Sequence, residues 1–313
     1  MPLVIRKKRK KTKADPLLEV AAKYEPSLAR AAYSLLASLK NIKDPGSADL
    51  TAHLLATFSG AGLAPGVRSF RDAFLRAMDA GARFAIEGLA SVRVNKLDVA
   101  TAMSFALQNP EVVAFLTQYG FDLIRGITLE TAAAIRLIMQ RNVAAGIAPK
   151  ETAREIMSVV GLTERQAQAV LNFRRALQSG DFAAAKRLAL RDKRFDGSLK
   201  QGAKLTPEQI DRIVQRYAER QLRYRAQMIA RTESIRALNK GQIEAWRQAD
   251  EQGLLEADMR EQWLPGPEAC PLCDSIPSMN PEGVRIGGLF NTPYGFMDGP
   301  PAHPNCRCAL GLE

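Results

Sequence analysis

The chain has 313 residues, with 44 Lys and Arg against 33 Asp and Glu, 2 His and a net charge of +11. Hydrophobic residues make up 46% and aromatics only 6%, with Ala and Leu abundant, which points to a globular and mainly helical protein and away from a sheet sandwich or a disordered polymer. No apolar run reaches the ~18 residues of a membrane-spanning helix, the basic start is not followed by the apolar stretch of a secretory leader, and four Cys are too few for a disulfide scaffold.

Residues 1–13 carry Arg6, Lys7, Lys8, Arg9, Lys10, Lys11 and Lys13 and no acid, which is +7 of the total. Such a run repels itself and stays extended until it meets an anion, so residues 1–14 are expected to be a basic arm, disordered or ordered by a partner. The partner is either a nucleic acid or an acidic protein surface. No aromatic residue interleaves the basic ones, so base stacking is not indicated.

Residues 15–110 read as a helical N-terminal region. Leu17, Leu18, Ala21, Ala22, Leu28, Ala32, Leu35, Leu36 and Leu39 recur at three- and four-residue steps, and Val67, Phe70, Phe74, Ala77, Met78, Gly81 and Phe84 form a second such face. Lys43-Asp-Pro-Gly-Ser47 separates them as a turn. Asn109-Pro110 marks a helix break. Residues 111–206 form a helical body in which Thr128 and Thr163 are candidate caps, the latter with T-x-x-Q capping-box spacing. That body ends in a polar connector over 191–206.

Thr206-Pro207-Glu208-Gln209 then supplies an N-cap, a proline at the first helical position and a glutamine at the third. The long helix that follows spans about 207–252, with Ile210, Ile213, Val214, Tyr217, Leu222 and Ile229 on one stripe. Its other face carries Arg212, Arg216, Arg220, Arg223, Arg225, Arg231 and Arg236, partly offset by five acids, and reads as a solvated, ion-paired surface. From 253 to 313 the character changes. Residues 252–313 hold 9 of the 17 Pro, 8 of the 22 Gly and all four Cys, and residues 251–313 carry three basic side chains against nine acids. This acidic, loop-rich tip looks short of apolar mass and in need of a staple.

The staple is legible as Cys270-Pro-Leu-Cys273, then 29 residues, then His303-Pro-Asn-Cys306-Arg-Cys308. Two thiolates spaced C-x2-C fit one metal, and sulfur with imidazole favours zinc over magnesium or calcium. The first choice of ligands is Cys270, Cys273, His303 and Cys306, with Cys308 able to replace either member of the second pair. Disulfides between the clusters, or thiols that merely pack, are the competing readings; without a secretory leader a reducing compartment is expected. Up to five ligands compete for four places, so a closed structural site is expected and not a catalytic one. Enzyme signatures fail elsewhere. There is no H-E-x-x-H and no phosphate-cradling glycine loop; His53 lies in an apolar helical run, and Glu233 beside Arg231 and Thr232 is expected to pair with a neighbour such as Arg236.

Ala226-Gln-Met-Ile-Ala-Arg-Thr-Glu-Ser234, Asn239-Lys-Gly-Gln242, Trp246, Cys270-Pro-Leu-Cys273, Phe290-Asn-Thr-Pro-Tyr-Gly295 and Pro300-Pro-Ala-His-Pro-Asn-Cys-Arg-Cys308, in that order, resemble the phage head morphogenesis family, the minor head proteins of Mu-type and related tailed bacteriophages. Phe121-Asp-Leu-Ile-Arg-Gly-Ile-Thr128 and Gly146-Ile-Ala-Pro-Lys-Glu-Thr152 extend the likeness, which covers about 115–313. The resemblance implies a non-enzymatic virion protein inside the head near the portal vertex, in the host cytoplasm before assembly. It would bind the portal protein and other head components, be oligomeric only on the portal ring, and assist assembly, DNA packaging or ejection. Packaged DNA is a further partner expected of the arm. The family's metal-type residues carry over onto Cys270, Cys273, His303, Cys306 and Cys308. The expected architecture is thus a multi-helix body whose long helix leads into a small α+β module (207–313 in all) stapled by structural zinc. The alternatives are a zinc-containing DNA-binding protein that uses the basic arm, and an ejected virion-associated enzyme.

Overall fold

The structure is a computed structural model that describes residues 13–39, 65–89, 110–147, 149–200 and 203–313. Arg6, Lys7, Lys8, Arg9, Lys10 and Lys11 of the arm, the turn at 43–47 and His53 lie outside the described residues. Among the described residues the chain forms α1 (Asp15–Ser38), α2 (Pro65–Leu89), α3 (Pro110–Ala144), α4 (Pro149–Val159), α5 (Glu164–Gln178), α6 (Phe182–Arg187) and α7 (Pro207–Glu251). There follow β1 (Glu261–Leu264), α8 (Pro271–Met279), β2 (Phe290–Thr292), β3 (Gly295–Met297) and β4 (Ala309–Leu312). The protein is mainly helical, with two small antiparallel sheets near its C-terminal end.

Local chemistry explains the boundaries. Pro65, Pro110, Pro149, Pro207 and Pro271 each open a helix, where a missing N–H costs nothing. Pro110 therefore starts a helix, and the break expected before it lies outside the described residues. Thr163 accepts from the Gln166 N–H at 3.3 Å and donates its own N–H to the Gln166 side chain at 3.2 Å, a complete capping box. Thr206 and Gln209 repeat it at 3.3 and 2.8 Å. At the end of α7, Gly253 takes φ +68°, its N–H bonds Asp250 O at 2.8 Å and the Leu254 N–H bonds Ala249 O at 2.9 Å. That is a Schellman close, which a glycine accepts without strain. Thr128 does not cap a helix: α3 runs through it from Pro110 to Ala144, because the apolar period continues past the threonine.

The chain divides into two compact units. One contains Arg30–Ser69 and Leu116–Gln227. In it the Phe173 and Tyr217 rings meet at 4.6 Å, tilted by 48°. The buried Arg225 donates to Gly161 O at 2.6 Å and pairs with Glu130. The start of the connector is anchored as well: Arg220 donates to Arg191 O at 2.8 Å, and Asp192, hydrogen-bonded by Arg194 at 2.7 Å, is held down at about 2. The Arg-rich face of α7 is thus a set of specific ties at Arg220 and Arg225 and not uniformly solvated.

The other unit contains Met1–Ala29, Phe70–Phe115 and Met228–Glu313. Here α2 and the second half of α7 touch backbone to backbone. A Cβ on Gly81 would fall 2.1 Å from Leu238 O, and one on Gly241 would fall 2.0 Å from Met78 O. Two glycines allow this approach; no larger residue would. Strand β1 pairs antiparallel with β4, with Leu264 opposite Ala309, and β2 pairs with β3. The tip is less core-poor than its composition implies. Its Trp263, Ile276, Phe290 and Leu310 share one apolar cluster with Ile243, Trp246 and Ala249 of α7 and with Ala82, Ala85 and Leu89 of α2. The helices lend the apolar surface that the tip lacks.

Candidate metal centre

The β1–β4 ladder brings together chain segments 40 residues apart in sequence and more. Beyond β1, Gly266 presses against the 300–308 loop, where an added Cβ would meet Arg307 O at 2.0 Å. Cys270 then caps α8, with Pro271 at the first helical position. Cys273 sits one turn later, and three residues along a helix return to the same side, so both thiols face one point. From the other strand, the Cys306 N–H bonds His303 O at 3.1 Å, a tight turn that sets His303 and Cys306 side by side.

The side chains meet. His303 Nε2 lies 3.4 Å from Cys270 Sγ and 3.2 Å from Cys273 Sγ, and Cys273 Sγ lies 3.9 Å from Cys306 Sγ. Cys308 joins Cys273 and Cys306 in a second close group, so Cys273 belongs to both. All four cysteines are free thiols. The cluster could hold a metal ion. Metal–sulfur bonds of about 2.3 Å and metal–nitrogen bonds of about 2.0 Å give tetrahedral edges of about 3.8 Å between sulfurs and about 3.5 Å between sulfur and nitrogen. The observed separations fall close to both. His303 Nδ1 donates to Pro304 O at 2.9 Å, which leaves Nε2 bare toward the sulfurs, the tautomer a ligand needs.

The electrostatics carry the same mark. The Cys273 N–H at the start of α8 lowers Cys270. A hydrogen bond from Cys308 brings Cys306 down to about 5 and drives Cys308 up. Burial, then the neighbouring Cys306 charge, pushes Cys273 up to about 12. Burial pulls His303 down, but the bond to Pro304 and the charges of Cys306 and Cys270 outweigh it and raise it overall. Four thiolates crowded in a buried cluster cannot ionise together unless a cation shares their charge.

The long helix holds this loop in place. Arg231 donates to Asn305 Oδ1 at 2.9 Å, and the Asn305 N–H donates to Thr232 Oγ1 at 2.9 Å. Two turns on, buried Asn239 accepts from the Leu310 N–H at 3.0 Å while its amide donates back to Ile235 O at 2.9 Å. Asn305 takes φ +65°, a left-handed conformation that Asn tolerates. Trp246 lies in the apolar floor beside Cys273, Cys306 and Cys308, and Trp263 meets Phe290 edge-on at 5.5 Å. Glu233 is buried and pairs with Arg236 at 3.3 Å.

All five residues read from the sequence as ligands therefore converge on one site. Lys13, the one basic residue of the arm that is described, is elsewhere, 2.6 Å from the Glu313 carboxylate. The roles of Thr232, Asn239, Asn305 and Gly266 as a clasp were missed; the A-R-T-E and N-K-G-Q segments carried the signal, but only the fold pairs them with the cysteine loop. Glu261 was missed too. It is fully buried in β1, accepts from the Gly287 N–H at 2.9 Å, and burial pushes it up to about 7 despite Arg247 and Lys240 nearby. The site thus defines a helical protein with a thiolate–imidazole cluster at the foot of a long helix. No family model, curated protein or solved structure matches the chain.

Proposed function

We propose that this chain is a structural minor head protein of a tailed bacteriophage, acting inside the capsid at the portal vertex in head assembly, DNA packaging or ejection. What supports the reading is a single observation. The two segments on which the family resemblance chiefly rests, the A-R-T-E-S helix and the H-P-N-C-R-C loop, are bonded to one another through Arg231, Thr232 and Asn305 beside the thiol cluster. Residues that share a motif because they build one joint are expected to sit this way; residues alike by chance have no reason to meet.

In this reading the cluster holds one zinc ion through Cys270, Cys273, His303 and Cys306, with Cys308 hydrogen-bonded beside them. The soft donor set suits zinc. A bound ion would supply charge neutralisation and a covalent-strength cross-link between the two ends of the module, and no turnover. The protein's own residues do the rest: Pro304 O fixes the His303 tautomer, the α8 N-terminus stabilises thiolate at Cys270, and the α7 clasp fixes the angle of the loop. The partner is the portal ring, met by a rigid tip on a long helix.

Imaging of purified virions with a label on the C-terminus tests this. Few copies at one vertex, inside the head and beside the portal, are expected. Signal spread over the shell, or particles lacking the protein, would overturn it. A zinc-containing DNA-binding protein instead predicts salt-sensitive duplex binding by the intact chain, lost when residues 1–13 are removed.

A further inference from the structure

The tip carries an apolar face that nothing within the described residues covers. Leu272, Met279, Leu289, Tyr294 and Phe296 are among the exposed large hydrophobic residues, with Phe296 at 74% exposure. They belong to one surface. At one end of α8, Tyr294 lies 6.1 Å from the His303 ring, and His303 lies 3.4 Å from Cys270, two residues before Leu272. At the other end Asn280, next to Met279, holds Asn291 through two hydrogen bonds of 2.8 and 2.9 Å, and Asn291 is paired across the hairpin with Phe296. Helix α8 and the β2–β3 hairpin thus lie side by side with their apolar side chains outward. A contiguous exposed patch of this kind marks an interaction site. Along 272–298 the exposed charges are mostly acidic: Asp274 and Glu282, with Asp298 already paired with Lys240 at 3.7 Å, against Arg285.

The chemistry that fits is a short apolar stretch followed by cations, and the chain has one. Leu3-Val4-Ile5 precedes Arg6-Lys-Lys-Arg-Lys-Lys11. The described chain begins at Lys13, whose ammonium is bonded at 2.6 Å to Glu313, the last residue of the same module. The eight residues from Ile5 to Lys13 reach at most about 28 Å, and the unit that holds the tip, about 160 residues, has a radius of gyration of about 15 Å, so the segment can reach a face well over one such radius from Glu313. We propose that the α8–hairpin face is the docking site for the protein's own N-terminal segment, Leu3–Ile5 against the apolar side chains and the basic run against the carboxylates. The inference does not depend on the phage reading, since it invokes no portal and no DNA.

The test uses the chain lacking residues 1–12 and a fluorescent synthetic peptide of residues 1–12, followed by anisotropy. The peptide is expected to bind, about tenfold more weakly to the Phe296→Ser variant, whose exposed side chain is not needed for folding. A peptide with Leu3, Val4 and Ile5 all changed to Ser, charge unaltered, is expected to lose a similar factor. Intact chain should bind the free peptide more weakly than truncated chain, because its own segment competes at high effective concentration. Light scattering on intact chain then separates a monomer, segment on its own tip, from a dimer lost on truncation, segment on a second copy; either supports the proposal. No peptide binding, or binding indifferent to both the Phe296 and the Leu3–Ile5 changes, overturns it. So does salt-sensitive duplex DNA binding by the arm with no peptide affinity for the tip.

Discussion

Cys273 is the residue on which the cluster turns, because it alone belongs to both close groups of donors. Cys273→Ser is therefore expected to abolish metal binding, whereas Cys308→Ser, outside the preferred set, should keep about one metal per chain. Elemental analysis of the two variants checks this; equal metal content in both would reject the ligand assignment. Glu261 offers a separate residue-scale experiment. Its folded pKa, near 7, stands above the usual carboxylate value. A raised acid binds more protons folded than unfolded, so its influence on stability is least unfavourable at low pH and worsens as pH rises from about 4.5 to about 7. Glu261→Gln keeps an acceptor for the Gly287 N–H and removes the charge. It should raise the melting temperature at pH 8 and change it little at pH 4.5, as read by circular dichroism. A variant less stable at pH 8 than at pH 4.5 relative to the parent would contradict a buried, costly charge.

Elements were the most legible level of this sequence. Apolar residues at three- and four-residue steps marked α1, α2 and α7, and the T-x-x-Q and T-P-E-Q signals marked the starts of α5 and α7, since these features act through bonds within a few residues. Thr128 misled because a threonine followed by a periodic stripe looks the same whether the helix begins there or passes through. The helix crossing was invisible for a different reason: Gly81 read as one more position on an apolar face, and its worth lies in Gly241, 160 positions away. Either glycine changed to Ala sets a methyl against a carbonyl oxygen, 2.1 Å at Gly81 and 2.0 Å at Gly241, with backbone on the receiving side. Overpacking of this sort costs about 1–3 kcal/mol and more where backbone must shift. Gly241→Ala should therefore unfold at clearly lower denaturant than an Ala change at exposed Gly126, where nothing stands within 4 Å. Equal midpoints would mean that the two helices do not approach so closely.

At the scale of the molecule, the C-x2-C and H-x2-C-x-C spacings disclosed the donors, because ligand spacing is a local property. The clasp from α7 and the shared apolar cluster were hidden, because both depend on chain segments that only the fold brings together. That difference changes what metal removal should do. A tip with no core of its own would unravel outright; this one keeps Trp263, Ile276, Phe290 and Leu310 packed on Ile243 and Trp246, and keeps the Asn239–Leu310 bond. Metal binding is worth about 10–16 kcal/mol in zinc-finger peptides that have little else, so its loss here should open the loops that carry the ligands, 265–273 and 300–308, before it frees the β1–β4 ladder or the β2–β3 hairpin. Chelation of the purified protein, with limited proteolysis read by mass spectrometry, is expected to speed cleavage in those two loops about tenfold or more. Cleavage within 116–227, the body of the other compact unit, should be unchanged. The variant Asn239→Ala, which leaves a buried N–H unpaired at a cost of about 1–3 kcal/mol, should make the loops cleavable at lower chelator concentration, since clasp and metal hold the same segment from opposite ends. If chelation accelerated cleavage equally in both units, the cluster would be supporting the whole fold; if it changed nothing, the thiols would be packing residues and the clasp alone would hold the tip.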